Sequence, residues 1–180
     1  MIRYGQINHI LLRPLSPVFD ALASEVAGKF VFLVFDVPIL VVLAFILKPE
    51  LTFTFEKSLL FILALLLAWG LRFLWGYWIA LLAFWTARAD ALLTLQDSLI
   101  FLLSGQVAPV SLLPGVLQSA ATILPFRYKI AFPVEILTGS LAGYDLVNGF
   151  FIQVLWLIVA GLLTIFVWNR GLKRYAGFEG

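Results

Sequence analysis

LLFILALLLAWGLRFLWGYWIALLAFW, residues 59–85, carries one charge, Arg72, in a run whose other members are aliphatic, aromatic or glycine. At about 1.5 Å rise per residue such a run outreaches the roughly 30 Å of hydrocarbon in a bilayer. Lipid offers no partner to a backbone N–H or C=O, so every one must be paired within the segment, and the run is read as a helix.

Three further segments come near or exceed the roughly 20 mostly apolar residues that a span needs: 26–47, which carries Asp36 and Pro38, then 91–107 and 150–168. With their flanks they predict transmembrane helices over 17–47, 58–86, 90–108 and 148–169. The expected fold is an all-α integral membrane protein with about four transmembrane helices, one transmembrane domain over 1–180. Composition agrees, since 63% of residues are hydrophobic and 12% charged, against about a quarter charged in soluble domains; mean hydropathy is +1.06. With no cysteine and one histidine, His9, disulfides and thiolate metal sites are excluded and a zinc site has too few ligands. A net charge of +2 gives no footing for nucleic acid. Met1 is followed by polar, proline-containing sequence, so no cleaved leader is expected.

Residues 109–146 read differently. They are apolar enough to enter a membrane, yet carry Arg127, Lys129 and Glu135, and Pro109, Pro114, Pro125 and Pro133 are half of the chain's eight prolines. Proline removes a helical hydrogen bond and clashes with the preceding turn, so short broken helices are expected, a re-entrant helical hairpin that returns to the side it entered. Charge supports re-entry. With the N-terminus inside, Arg3, Arg13, Lys29, Arg88, Arg170, Lys173 and Arg174 are cytoplasmic against Lys48, Lys57, Arg127 and Lys129 outside, which favours both termini inside. A fifth span would carry the basic tail 170–180 across.

Residues 1–16 place Ile7, Ile10, Leu11 and Leu15 at three- and four-residue spacing, with Gln6, Asn8, His9 and Arg13 elsewhere. That is the pattern of a helix lying in the interface, whether as a simple anchor or as a surface for a partner. Ser16 and Pro17 then suit the N-cap and first position of the first span.

Four passages taken together carry a resemblance: Ile2-Arg3-x-Gly5 with Leu11-Leu12-Arg13-Pro14-Leu15; Leu103-Ser104-Gly105 to Pro109 with Pro114-Gly115; Leu124-Pro125-Phe126 to Phe132-Pro133-x-Glu135; and Arg170-Gly171-Leu172-Lys173-Arg174-Tyr175. In their order and spacing the chain resembles the permease subunit of bacterial ABC-2 type ABC transporters. The resemblance implies that Gly5, Leu11, Leu12, Arg13, Pro14 and Leu15 belong to a cytoplasmic coupling helix that docks on a separate ATPase subunit. It implies equally that Ser104, Gly105, Pro109, Pro114, Pro125, Phe126, Pro133 and Glu135 belong to the external re-entrant segment. The implied partners are an ABC ATPase dimer, which holds ATP and magnesium, and a second permease copy or a related subunit, in the bacterial inner membrane. Family members usually place two spans before the coupling helix, and Met1 stands almost at it, so a subunit lacking those two helices is expected.

No Walker A pattern occurs, so ATP must bind on another chain. Asp36, Arg72 and Asp97 are the intramembrane charges, each costly enough to call for a partner; a structural polar network and the lining of a transport pathway are both open. Apolar, aromatic-rich spans suit an amphipathic or hydrophobic substrate better than a small ion, and export follows from the resemblance. A lipid-modifying enzyme needs convergent acids, bases or ligands, and only Asp36, Asp97 and His9 are on offer. A truncated or scaffolding subunit without transport activity is the other alternative.

Overall fold

The computed structural model describes residues 17–48, 54–86 and 88–176, and the interfacial helix expected over 1–16 lies outside them. The chain divides into two units, Met1–Glu50 and Leu51–Gly180. Every regular element among the described residues is helical.

The first unit contributes α1, Pro17–Leu47, which runs through Pro38. Glu25 and Lys29, one turn apart, pair at 3.7 Å. Lys48, at φ 43°, ends the helix, its N–H returning to the Ala44 carbonyl at 3.0 Å.

In the second unit α2, Phe55–Leu81, is extended by a 3-10 turn, Leu82–Phe84, and α6 spans Tyr144–Ala176. The two pack along each other through small and medium side chains: Ala64, Ala68 and Leu71 on α2, Ala160 and Thr164 on α6. Without a hydrophobic drive in lipid, such residues associate helices by close van der Waals contact. Phe132 packs edge-on to Phe150 across 5.2 Å, and its ring also covers Gly149, leaving no room for a Cβ there.

Between the two long helices lie α3, Ala89–Leu103, then a 3-10 turn at Val110–Leu112, α4, Gly115–Ile123, a second turn at Arg127–Lys129, and α5, Ala131–Leu137. Among the described residues three helical stretches are long and apolar enough to cross a membrane: Pro17–Leu47, Phe55–Phe84 and Gly143–Lys173. The third expected span behaves differently, because α3 stops at Leu103 after 15 residues, about 22 Å at the helical rise. The cause is Gly105, whose φ of +85° turns the chain out of the helix just past the Ser104 cap. The last helix runs longer than expected, through Arg170 and Lys173 to Ala176.

The prolines of 109–133 act as anticipated on local structure. Pro109 and Pro114 sit at the N-caps of the first turn and of α4, and Pro133 falls in the first turn of α5, where a missing N–H costs nothing. Two apolar clusters hold the segment. Tyr128, Phe132 and Ile136 pack with Ala64, Leu71 and Ala160, while Phe126 and Ala131 pack with Ile100, Leu103, Val110 and Ala121.

Candidate functional site

The broken-helix segment is latched to α2 and α6 by side chains of α6. Gln153, fully buried, donates through Nε2 to the carbonyls of Ala64 and Tyr128, each at 3.0 Å. One amide thereby ties together α2, α6 and the turn at Arg127–Lys129. Trp156, three residues on and on the same helical face, donates to the Ile123 carbonyl at the end of α4 at 2.9 Å, and Tyr128 donates to Thr122 O at 2.9 Å. Carbonyls freed where proline and turns interrupt the helices are thus satisfied by side chains, as a low-dielectric setting demands.

Charge in this segment is arranged in two ways. Arg127 grips Glu135 in a fork, Nη2 to Oε2 at 2.7 Å and Nε to Oε1 at 3.4 Å, joining the turn to α5. Lys129 is different: only 6% exposed, its Nζ has no hydrogen-bond partner among the described residues and stands 5.1 Å from the Trp75 ring centre and 5.2 Å from that of Phe126. Two ring faces stabilise this cation where no oxygen does. Arg72 and Asp97 are the ionic groups that act on it.

The expected intramembrane charges therefore fall as follows. Asp36 belongs to the first unit. Arg72 and Asp97 are both exposed on the second unit and form no direct ion pair with each other, though each acts on Lys129. Their neighbours are self-satisfied, Ser98 bonding back to Thr94 O at 2.9 Å and Thr94 to Asp90 O at 3.0 Å. Gln96 is buried, its Oε1 unpaired among the described residues. Trp75 turns inward against Trp156 at 5.5 Å, edge to face.

Of the expected re-entrant residues, Ser104, Pro125, Phe126 and Pro133 are buried, Gly105 makes its turn and Glu135 its ion pair. Gly5, Leu11, Leu12, Arg13, Pro14 and Leu15 lie outside the described residues. Sequence reasoning passed over Gln153, though a lone amide midway along an apolar helix is a polar group in want of a partner. The burial of Lys129 has no signal in the sequence, because it follows from how the turn at Arg127–Lys129 docks.

A model of the family described as ABC-2 family transporter protein matches residues 1–178. No curated protein and no solved structure matches the chain.

Proposed function

The chain belongs to the ABC-2 transporter family, and on that premise we propose that it is a permease subunit exporting an amphipathic or hydrophobic substrate, driven by an ATPase dimer on separate chains that binds ATP and magnesium. The observation that carries the reading is the family match over 1–178 on a chain with three membrane-length apolar helices. In this reading α1, α2, α3 and α6 cross the bacterial inner membrane, α3 as a short helix, with both termini cytoplasmic. The segment 109–146 re-enters from the outer side, and Gly5 to Leu15 rest on the ATPase.

Arg72 and Asp97 support a polar neighbour. A charge exposed on a helix at membrane depth is costly against lipid, so in the assembly these residues face the second permease subunit or the pathway between the two. Nucleotide-driven closure of the ATPase would move α1 through Pro14 to Pro17, a rigid-body step of the kind that switches packed helices between discrete arrangements. The latch made by Gln153 and Trp156 keeps the re-entrant segment with α6 during that step.

The test is a mild-detergent pull-down of the tagged chain, assayed for co-purifying ATP hydrolysis, followed by reconstitution. Wild-type chain should recover an ATPase whose turnover moves substrate across the vesicle. Replacing Leu12 and Arg13 together by alanine should leave insertion intact and abolish co-purification and transport. Transport retained by that double variant removes the coupling assignment, and capture of an ATPase that moves nothing favours a scaffolding subunit.

A further inference from the structure

Beside Lys129 an apolar cleft of about 250 Å³ opens between α2 and α3, walled by Trp75, Trp78, Leu92, Leu95 and Gln96 and floored by Phe126. It is smaller than the roughly 300–1,000 Å³ of pockets that enclose a drug-sized molecule, and suits one chain or ring of a larger ligand.

What singles it out is the polar groups left without partners in and behind its wall. Among the described residues Gln96, 8% exposed, has no partner for its Oε1, Trp78 none for its indole N–H, and Lys129, 6% exposed, none for its ammonium, which stands beside the two rings, Trp75 and Phe126, that line the cleft. Buried polar atoms in native proteins are overwhelmingly paired, so a cluster holding a cation, a neutral donor and an acceptor, all unpaired around one cavity, marks a place where a partner is missing. Charge decides the partner's sign. Of the three unpaired groups only Lys129 carries a charge, and its ammonium has no carboxylate at ion-pair distance among the described residues, so the missing partner is an anion.

We propose that the cleft between α2 and α3 binds an anionic amphiphile, its apolar chain or ring lying along Trp75, Trp78 and Leu95 and its headgroup anion taken by the Lys129 ammonium reaching between the Trp75 and Phe126 rings. Lysine is suited to this, a compact charge on a flexible four-carbon stem. The Trp78 N–H and the Gln96 amide stand beside the entering chain, where a hydroxyl or ester near the headgroup would pair with them. This deepens the permease reading by naming a substrate class, and it rests on that reading only for calling the ligand a substrate.

Binding is measured without any ATPase, so its failure and the failure of the coupling assignment are separate. The purified full chain in nanodiscs of zwitterionic lipid is titrated with a nitroxide-labelled fatty acid and, separately, with its methyl ester, and quenching of tryptophan fluorescence is followed. The carboxylate probe should quench saturably and half-saturate at a concentration about tenfold lower than the ester, the size of one charge-assisted contact. Lys129→Met should bring the carboxylate probe to the level of the ester, and Leu95→Trp, which fills the cleft, should weaken both. Equal affinity of the two probes for the unaltered chain, no saturable quenching by either, a headgroup preference that survives Lys129→Met, or binding untouched by Leu95→Trp would each overturn the proposal. Lys129→Met nearly conserves volume and removes a buried charge; should it nonetheless fail to fold, Leu95→Trp and the comparison of the two probes still decide.

Discussion

Gln153 of α6 and Tyr128 of the turn before α5 are joined by a side-chain amide donating to a backbone carbonyl at 3.0 Å, while the same nitrogen reaches Ala64 O on α2 at 3.0 Å. Replacing Gln153 with leucine leaves both carbonyls without the amide they share. Ala64 O keeps its helical partner within α2, so a loss of about 1–3 kcal/mol in stability is expected, the cost of removing the amide from the buried Tyr128 carbonyl. Limited trypsinolysis after Arg127 and Lys129 should quicken in parallel, because the turn is no longer held. Unchanged cleavage would show that apolar packing alone fixes the segment.

Arg127 and Glu135 form a two-pronged pair with side chains 18% and 22% exposed, more sheltered than a surface bridge. A double-mutant cycle with methionine at both positions should return a coupling on the order of 1–3 kcal/mol. Arg127→Lys should recover only part of it, since an ammonium cannot reproduce the planar fork. A coupling indistinguishable from zero would place this pair with ordinary exposed ones.

Gly149 lies under the Phe132 ring, with no space for a methyl group. Gly149→Ala should destabilise by about 1–3 kcal/mol through overpacking, and adding Phe132→Leu should restore part of the loss. Chemical or thermal unfolding of the three variants checks this, and additive effects would argue against contact between the two sites.

At Gly105, φ is +85° and a Cβ would stand 2.9 Å from that of Ala131. Gly105→Ala is expected to cost about 1 kcal/mol or more, from a left-handed backbone and crowding together. The loss should appear as faster amide exchange at the C-terminal turn of α3, where the Ser104 N–H bonds Ile100 O at 2.9 Å. Exchange no faster than in the unaltered chain would refute this account of how α3 ends.

Long apolar runs made α1, α2 and α6 legible, because in hydrocarbon length and composition leave the backbone no other choice. Proline spacing likewise exposed the broken character of 109–133. The end of α3 was harder to see, since Ser104-Gly105 is followed by Val107 and Ala108 and the apolar count runs on past a stop that is conformational. Legibility was lowest for the partners of charged groups. Arg72 and Asp97 are expected as intramembrane charges in want of partners, yet both stand exposed and unpaired with each other, and only the docking of the turn at Arg127–Lys129 brings Lys129 near them. Gln153 shows the same limit: that it needs an acceptor follows from its position, but that the acceptors are Ala64 O and Tyr128 O depends on contacts 89 and 25 residues away in sequence.

Those separations also set an order of events during biosynthesis. Tyr128 and Ile123 leave the ribosome well before Gln153 and Trp156, the residues that donate to their carbonyls, so these two acceptors wait for their partners. Their seat on α6 exists only once that helix has been made. A nascent chain arrested before Gln153 would leave the Tyr128 and Ile123 carbonyls without their donors, which makes the last helix the step that latches the turn at Arg127–Lys129 and the end of α4.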